Sequence, residues 1–147
     1  MKYLEGYQIY LKAKIEKIKE INNTKSLVYF TGQLVMLELL LDFDNLCKNW
    51  WESLPLNDIY NNEGWANFCI KYYPEKNDCQ SLTFDEIKII YINELKNNLK
   101  DNKFNDYIIS FMDSKLSELF PDINIVEQNL FISGYSDMYH IVIPKLS

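Results

Sequence analysis

The sequence predicts a mainly α protein of the α+β class, with about five helices packed round a central buried helix and a C-terminal antiparallel β-hairpin. Three observations predict it. Apolar residues recur at helical spacing through most of the chain. One segment, Leu27 to Phe43, is apolar almost all round, as the innermost helix of a globular fold is. Near the C-terminus the period shortens towards two. With four glycines and four prolines in 147 residues there is little linker material, so a single domain over residues 1–147 is expected. A chain of this size can bury enough surface to fold without staples.

The first helix is expected from about Lys2 to Ile21. Leu4, Tyr7, Leu11, Ile15 and Ile18 share one face, Glu16, Lys17 and Glu20 lie opposite, and Asn22-Asn23 ends it. The second is expected from about Ser26 to Asn49. Its polar residues form one narrow line, Thr31, Glu38, Asp42, Asn45 and Asn49, which Glu52 extends. Their spacing keeps them on one stripe, the part of this helix most able to meet water or a partner. Pro55 stops the run that follows Trp50-Trp51. A third helical stretch, about Gly64 to Tyr73, presents Trp65, Phe68, Cys69 and Tyr72 and ends at Pro74.

The fourth helix carries the clearest local signal. Thr83-Phe84-Asp85-Glu86 matches a capping box, in which the Thr hydroxyl and the Glu carboxylate each satisfy a free backbone N–H. It is expected to reach about Leu99, with Ile87, Tyr91 and Leu95 on one face. The fifth is expected from about Phe104 to Phe120, where Tyr107, Ile108, Phe111, Met112, Leu116 and Leu119 form an apolar stripe before Pro121. The tail reads as a hairpin. A run around Leu130 to Ser133 and a run from Met138 to Ile143 flank Gly134-Tyr135-Ser136-Asp137, and Ile123 to Val126 offers a third strand.

Fifteen lysines, no arginine and a formal charge of −6 argue against nucleic-acid binding, since no guanidinium fork is present for phosphate or guanine. The charge is uneven: six lysines face three acids in residues 1–25, whereas Glu38 to Glu63 holds six acids and only Lys48. Such a field attracts a basic partner and speeds encounter, or serves solubility alone. The N-terminus lacks a continuous apolar run, and Leu27 to Leu41 is interrupted by Thr31, Gly32, Gln33 and Glu38, so a cytoplasmic protein without a membrane span is expected.

Catalytic patterns are sparse. His140 is the only histidine, so any Cys–His or Ser–His pair would have to use it. Cys47, Cys69 and Cys79 lack the short spacing of a zinc or redox motif and read as reduced thiols. Glu38 and Asp42 share a helix face, which suits a binding strip better than an acid–base pair across a cleft. No phosphate-binding glycine loop occurs. No cofactor, metal or enzymatic activity is expected. Aromatics near acids, by contrast, suit an interface, because Trp and Tyr bury large area at low entropic cost. The expected partner-binding face therefore comprises Glu38, Asp42, Asp44, Trp50, Trp51, Glu52, Asp58, Tyr60, Glu63 and Trp65. The competing expectation is that these indoles fill the core.

In its buried Leu27 to Phe43 helix, its acidic stripe Glu38/Asp42, the following Trp50-Trp51 and its lack of catalytic groups, the chain resembles the small acidic immunity proteins of bacterial polymorphic and contact-dependent toxin systems. The likeness is of overall character, and no binding residue carries over by motif. It implies neutralisation of a cognate, basic toxin, often a nuclease, by occlusion of its active site. Two other classes stay open: a phage-type acidic inhibitor that mimics nucleic-acid charge, and a small enzyme of unfamiliar type using His140.

Overall fold

The computed structural model describes residues 2–53, 75, 82–101 and 104–146. Over these residues the chain forms six α-helices: α1 (Lys2–Glu20), α2 (Thr24–Leu41), α3 (Phe43–Ser53), α4 (Phe84–Lys100), α5 (Asp106–Leu119) and α6 (Ile125–Val142). A 3-10 turn, Ile143–Lys145, follows α6. The third expected helix, Gly64 to Tyr73, lies outside the described residues.

Local chemistry sets most of the boundaries. Asn22 adopts a left-handed φ of 53° after α1, a conformation Asn tolerates better than most residues. The Asn23 side chain then accepts the Ser26 N–H at 3.2 Å to start α2. At α4 both arms of the capping box form: Thr83 Oγ1 accepts the Glu86 N–H at 3.2 Å, and the Glu86 carboxylate accepts the Thr83 N–H at 3.0 Å. Asn105 and Asn124 cap α5 and α6 through the N–H groups of Ile108 and Glu127, each at 2.9 Å.

The expected C-terminal hairpin is not present. Residues 125–142 form one helix, and no strand occurs among the described residues. The reason is a longer period masked by a local one. Phe131, Tyr135, Met138, Tyr139 and Val142 are all buried, at steps of four, three, one and three. That is one helical face, with Gly134 beside it. Gly134 is a packing residue, not a turn residue. A Cβ there would lie 2.0 Å from the Tyr29 carbonyl oxygen, and one on Gly32 would lie 2.3 Å from the Phe131 carbonyl oxygen. Two glycines thus let α2 and α6 cross backbone to backbone.

The expected second helix, Ser26 to Asn49, is also two. Asp42 leaves helical geometry at φ −99° and ψ 51°, and α2 and α3 meet at 82°. Its N–H still reaches the Glu38 carbonyl at 3.3 Å, while its own carbonyl receives the Leu46 N–H at 3.0 Å. One Asp therefore closes α2 and opens α3. The turn brings Phe43 and Trp50 onto Tyr91 of α4, with ring centroids 5.7 and 4.5 Å away and planes within 18° and 16°.

Around α2 and α6 the core holds Leu4 and Leu11 of α1, Leu46, Cys47 and Trp50 of α3, Ile90, Tyr91 and Leu95 of α4, and Ile108 of α5. Buried tyrosines fix the outer helices. Tyr135 donates to the Ile108 carbonyl at 2.8 Å and Tyr139 to the Leu95 carbonyl at 3.0 Å. Tyr91 accepts from Asn105 at 3.1 Å. No single described helix is long and apolar enough to cross a membrane.

Candidate functional site

Along α2, the side chains of Leu27, Thr31, Leu34, Val35, Glu38 and Asp42 follow one another at steps of four, three, one, three and four. This face is the floor of an open groove of about 780 Å³. Lys12, Ile15, Glu16 and Lys19 of α1 form one wall, and Tyr107, Phe111, Lys115 and Leu119 of α5 form the other. Asn45, Leu46 and Asn49 of α3 close one end. The polar line expected on one long helix thus survives the 82° bend, because Asp42 is the pivot and Asn45 and Asn49 continue into the same space. Its volume is that of an ordinary ligand cleft.

The floor is apolar and the rim is charged. Glu38 accepts from Gln8 at 3.3 Å and lies 3.8 Å from the Lys12 ammonium. Asp42 accepts from Asn45 at 2.9 Å, and Asn49 donates to the Tyr107 hydroxyl at 3.1 Å. Lys19 pairs with Glu16 at 3.3 Å and Lys115 with Glu118 at 3.4 Å. These are solvent-facing contacts, each worth about 0–1 kcal/mol. They are cheap to exchange for contacts with a partner. Thr31 turns its hydroxyl onto the Leu27 carbonyl at 2.6 Å.

The expected partner-binding residues divide. Glu38 and Asp42 line the groove. Asp44 points elsewhere: Lys88 of α4 bridges it at 3.3 Å and Asp85 at 3.5 Å. The hydrogen bond to Asp44 is the main cause of the upward shift of the Lys88 ammonium pKa. Glu52 is exposed at the end of α3. Trp50 is 8% exposed and stacks on Tyr91, so it belongs to the core and not to a binding face. Trp51 is half-buried, its ring 5.9 Å from that of Trp50. Asp58, Tyr60, Glu63 and Trp65 lie outside the described residues.

Lys12, Lys19, Lys115, Tyr107 and Phe111 join the site only through the tertiary structure. Two separate helices, α1 and α5, bring them together, and spacing within each helix does not relate one helix to the other. His140 is exposed near the end of α6, its ring edge-on to Tyr139 at 5.7 Å. Cys47 is a buried thiol pushed up to about 11, mainly by desolvation. Cys69 and Cys79 are not among the described residues. Among those described, no cluster of three His, Cys, Asp or Glu side chains could hold a metal.

Comparison of the chain with protein-family models, curated proteins and solved structures returns no match.

Proposed function

We propose that the protein binds another protein through the groove and its acidic end, and that it acts as an immunity protein, neutralising a cognate basic toxin by covering its active site. One observation carries this reading: Glu38, Asp42, Asn45 and Asn49 share an open, apolar-floored groove instead of scattering over the surface. An apolar floor supplies binding energy that carboxylates at a wet rim do not, and the carboxylates supply steering and register. A basic nuclease has a positive cleft built for phosphate, which the Glu38 and Asp42 end of the rim complements. The groove also carries Lys12, Lys19 and Lys115, so beyond its acidic end the rim is set against acidic groups of the partner, which gives register a part in choosing that partner.

The test is co-expression with the toxin domains encoded beside the gene. Growth rescue by the wild-type chain, lost in Glu38→Lys at unchanged melting temperature, is the expected result. Failure to rescue against every neighbouring toxin would overturn the immunity reading.

A further inference from the structure

The groove is lined by faces of three helices, α1, α2 and α5, with residues of α3 at one end. Its floor is a single face of α2 from Leu27 to Asp42, about 22 Å long at 1.5 Å per residue. Each wall is also one helical face: steps of three and four on α1, and steps of four on α5. Ridges at these spacings accept the side chains of another helix.

The backbone chemistry selects the same occupant. Floor and walls are helices, whose N–H and C=O groups are already bonded internally. They offer no open edge to an extended peptide, which would bury unsatisfied backbone groups. A helix arrives with its own backbone groups paired.

Charge sets the register. Glu38 and Asp42 sit at the α2 C-terminus, where the end of the helix dipole adds negative potential. Lys19 is in the last turn of α1, beside the start of α2. Lys115 is eight residues along α5 from Tyr107, which bonds Asn49 at the acidic end, so it too lies towards the other end. Lys12 lies beside Glu38 and Glu16 beside Lys19, so the groove runs from an end with two acids and one lysine to an end with two lysines and one acid.

We infer that the groove receives an amphipathic helix of the partner, lying along α2 between α1 and α5 with its basic half over Glu38 and Asp42 and its acidic half over Lys19 and Lys115. This rests on the protein-binding reading above and names the element that the partner presents.

The experiment titrates the full chain against stapled helices of roughly 15 residues, the length that matches the groove. All carry leucines at i, i+3, i+4 and i+7. One has lysines on the half meant for Asp42 and glutamates on the other, one reverses the charges, and one scrambles the leucine period. The readout is fluorescence anisotropy. The matched helix is expected to bind at least about tenfold more tightly than the reversed or scrambled ones, a difference of about 1.4 kcal/mol. Thr31→Trp, which fills the groove, is expected to abolish that binding. The double variant Asp42→Lys, Lys115→Glu, altered only at rim side chains, is expected to prefer the reversed helix.

Equal binding of the scrambled helix, no saturation by any helix, or unchanged preference in the double variant overturns the inference. So does a dimer in sedimentation that Thr31→Trp dissolves, which assigns the groove to a second copy of the chain. Growth rescue that persists in Thr31→Trp overturns the helix-in-groove inference while leaving the immunity reading standing. Lost rescue of every toxin with intact helix binding does the reverse.

Discussion

At the scale of single residues, burial separates two neighbouring indoles that the sequence cannot tell apart. Trp50 stacks on Tyr91 in the core, and Trp51 stays half-buried. Trp50→Ala is expected to cost about 3–5 kcal/mol, the range for deleting a large buried aromatic. Trp51→Ala is expected to cost less than half of that, and urea unfolding of the two variants measures the difference. Buried acids of high pKa set the alkaline limit. Burial pushes Tyr139 from its ordinary 10 up to about 12 and Cys47 from 9 up to about 11. Tyr91 and Tyr135 are raised further by the same cause. Each group is harder to ionise folded than unfolded, so its contribution is fully present below its ordinary pKa and is lost as pH rises through the folded value. Stability is therefore expected to fall from about pH 9 and steeply between 10 and 12, with a block of tyrosines ionising only on unfolding. Ultraviolet titration against melting temperature checks this, and a flat profile to pH 12 would contradict it.

At the scale of elements, the caps and the two glycines decide where helices begin and how closely they pack. Removing the Thr83 hydroxyl as Ala breaks the arm of the capping box that accepts the Glu86 N–H and leaves the Thr83 N–H bonded to the Glu86 carboxylate, at a cost of about 1 kcal/mol. Gly134→Ala places a methyl against the backbone of α2, where no rotamer change relieves the clash. Its expected cost is about 3 kcal/mol, the upper part of the range for overpacking, and Gly32→Ala should match it. Thermal unfolding should rank Gly134→Ala well below Thr83→Ala. These elements also show what was legible. The α4 capping box stood in the sequence as written, because a capping box is a contact between residues three apart. The C-terminal helix did not, because Gly134-Tyr135-Ser136-Asp137 has turn composition and its neighbours are β-branched or aromatic. Its buried face, Phe131 to Val142, was present at helical spacing, and Asn124 with Glu127 marked its start. Tertiary packing on α2 overrode local propensity. The break at Asp42 was legible only as one short polar residue in an apolar run.

At the scale of the whole molecule, the uneven charge and the groove act on different parts of binding. Exposed acids steer encounter with a basic partner, whereas the apolar floor governs residence time. Raising salt from 50 to 500 mM is expected to slow association with a basic toxin domain at least about tenfold while changing dissociation little. A salt-independent association rate in stopped-flow mixing would remove the acidic end from the binding mechanism. Thr31→Trp should act the opposite way, raising the dissociation rate with little effect on association, because it alters the floor and leaves the charges in place.

The sequence by itself determined the helices with local signals, the central place of Leu27 to Leu41 and the polar line Thr31, Glu38, Asp42, Asn45 and Asn49. The helices and the line from Thr31 to Asp42 depend on residues three, four or seven apart, which helical geometry alone relates, whereas Asn45 and Asn49 join that line across the 82° bend. Only the tertiary structure decided that the tail is a helix, that Trp50 is core, and that α1 and α5 wall a groove above that polar line. Those outcomes depend on which faces of distant segments meet, and a chain's own periodicity does not specify its neighbours.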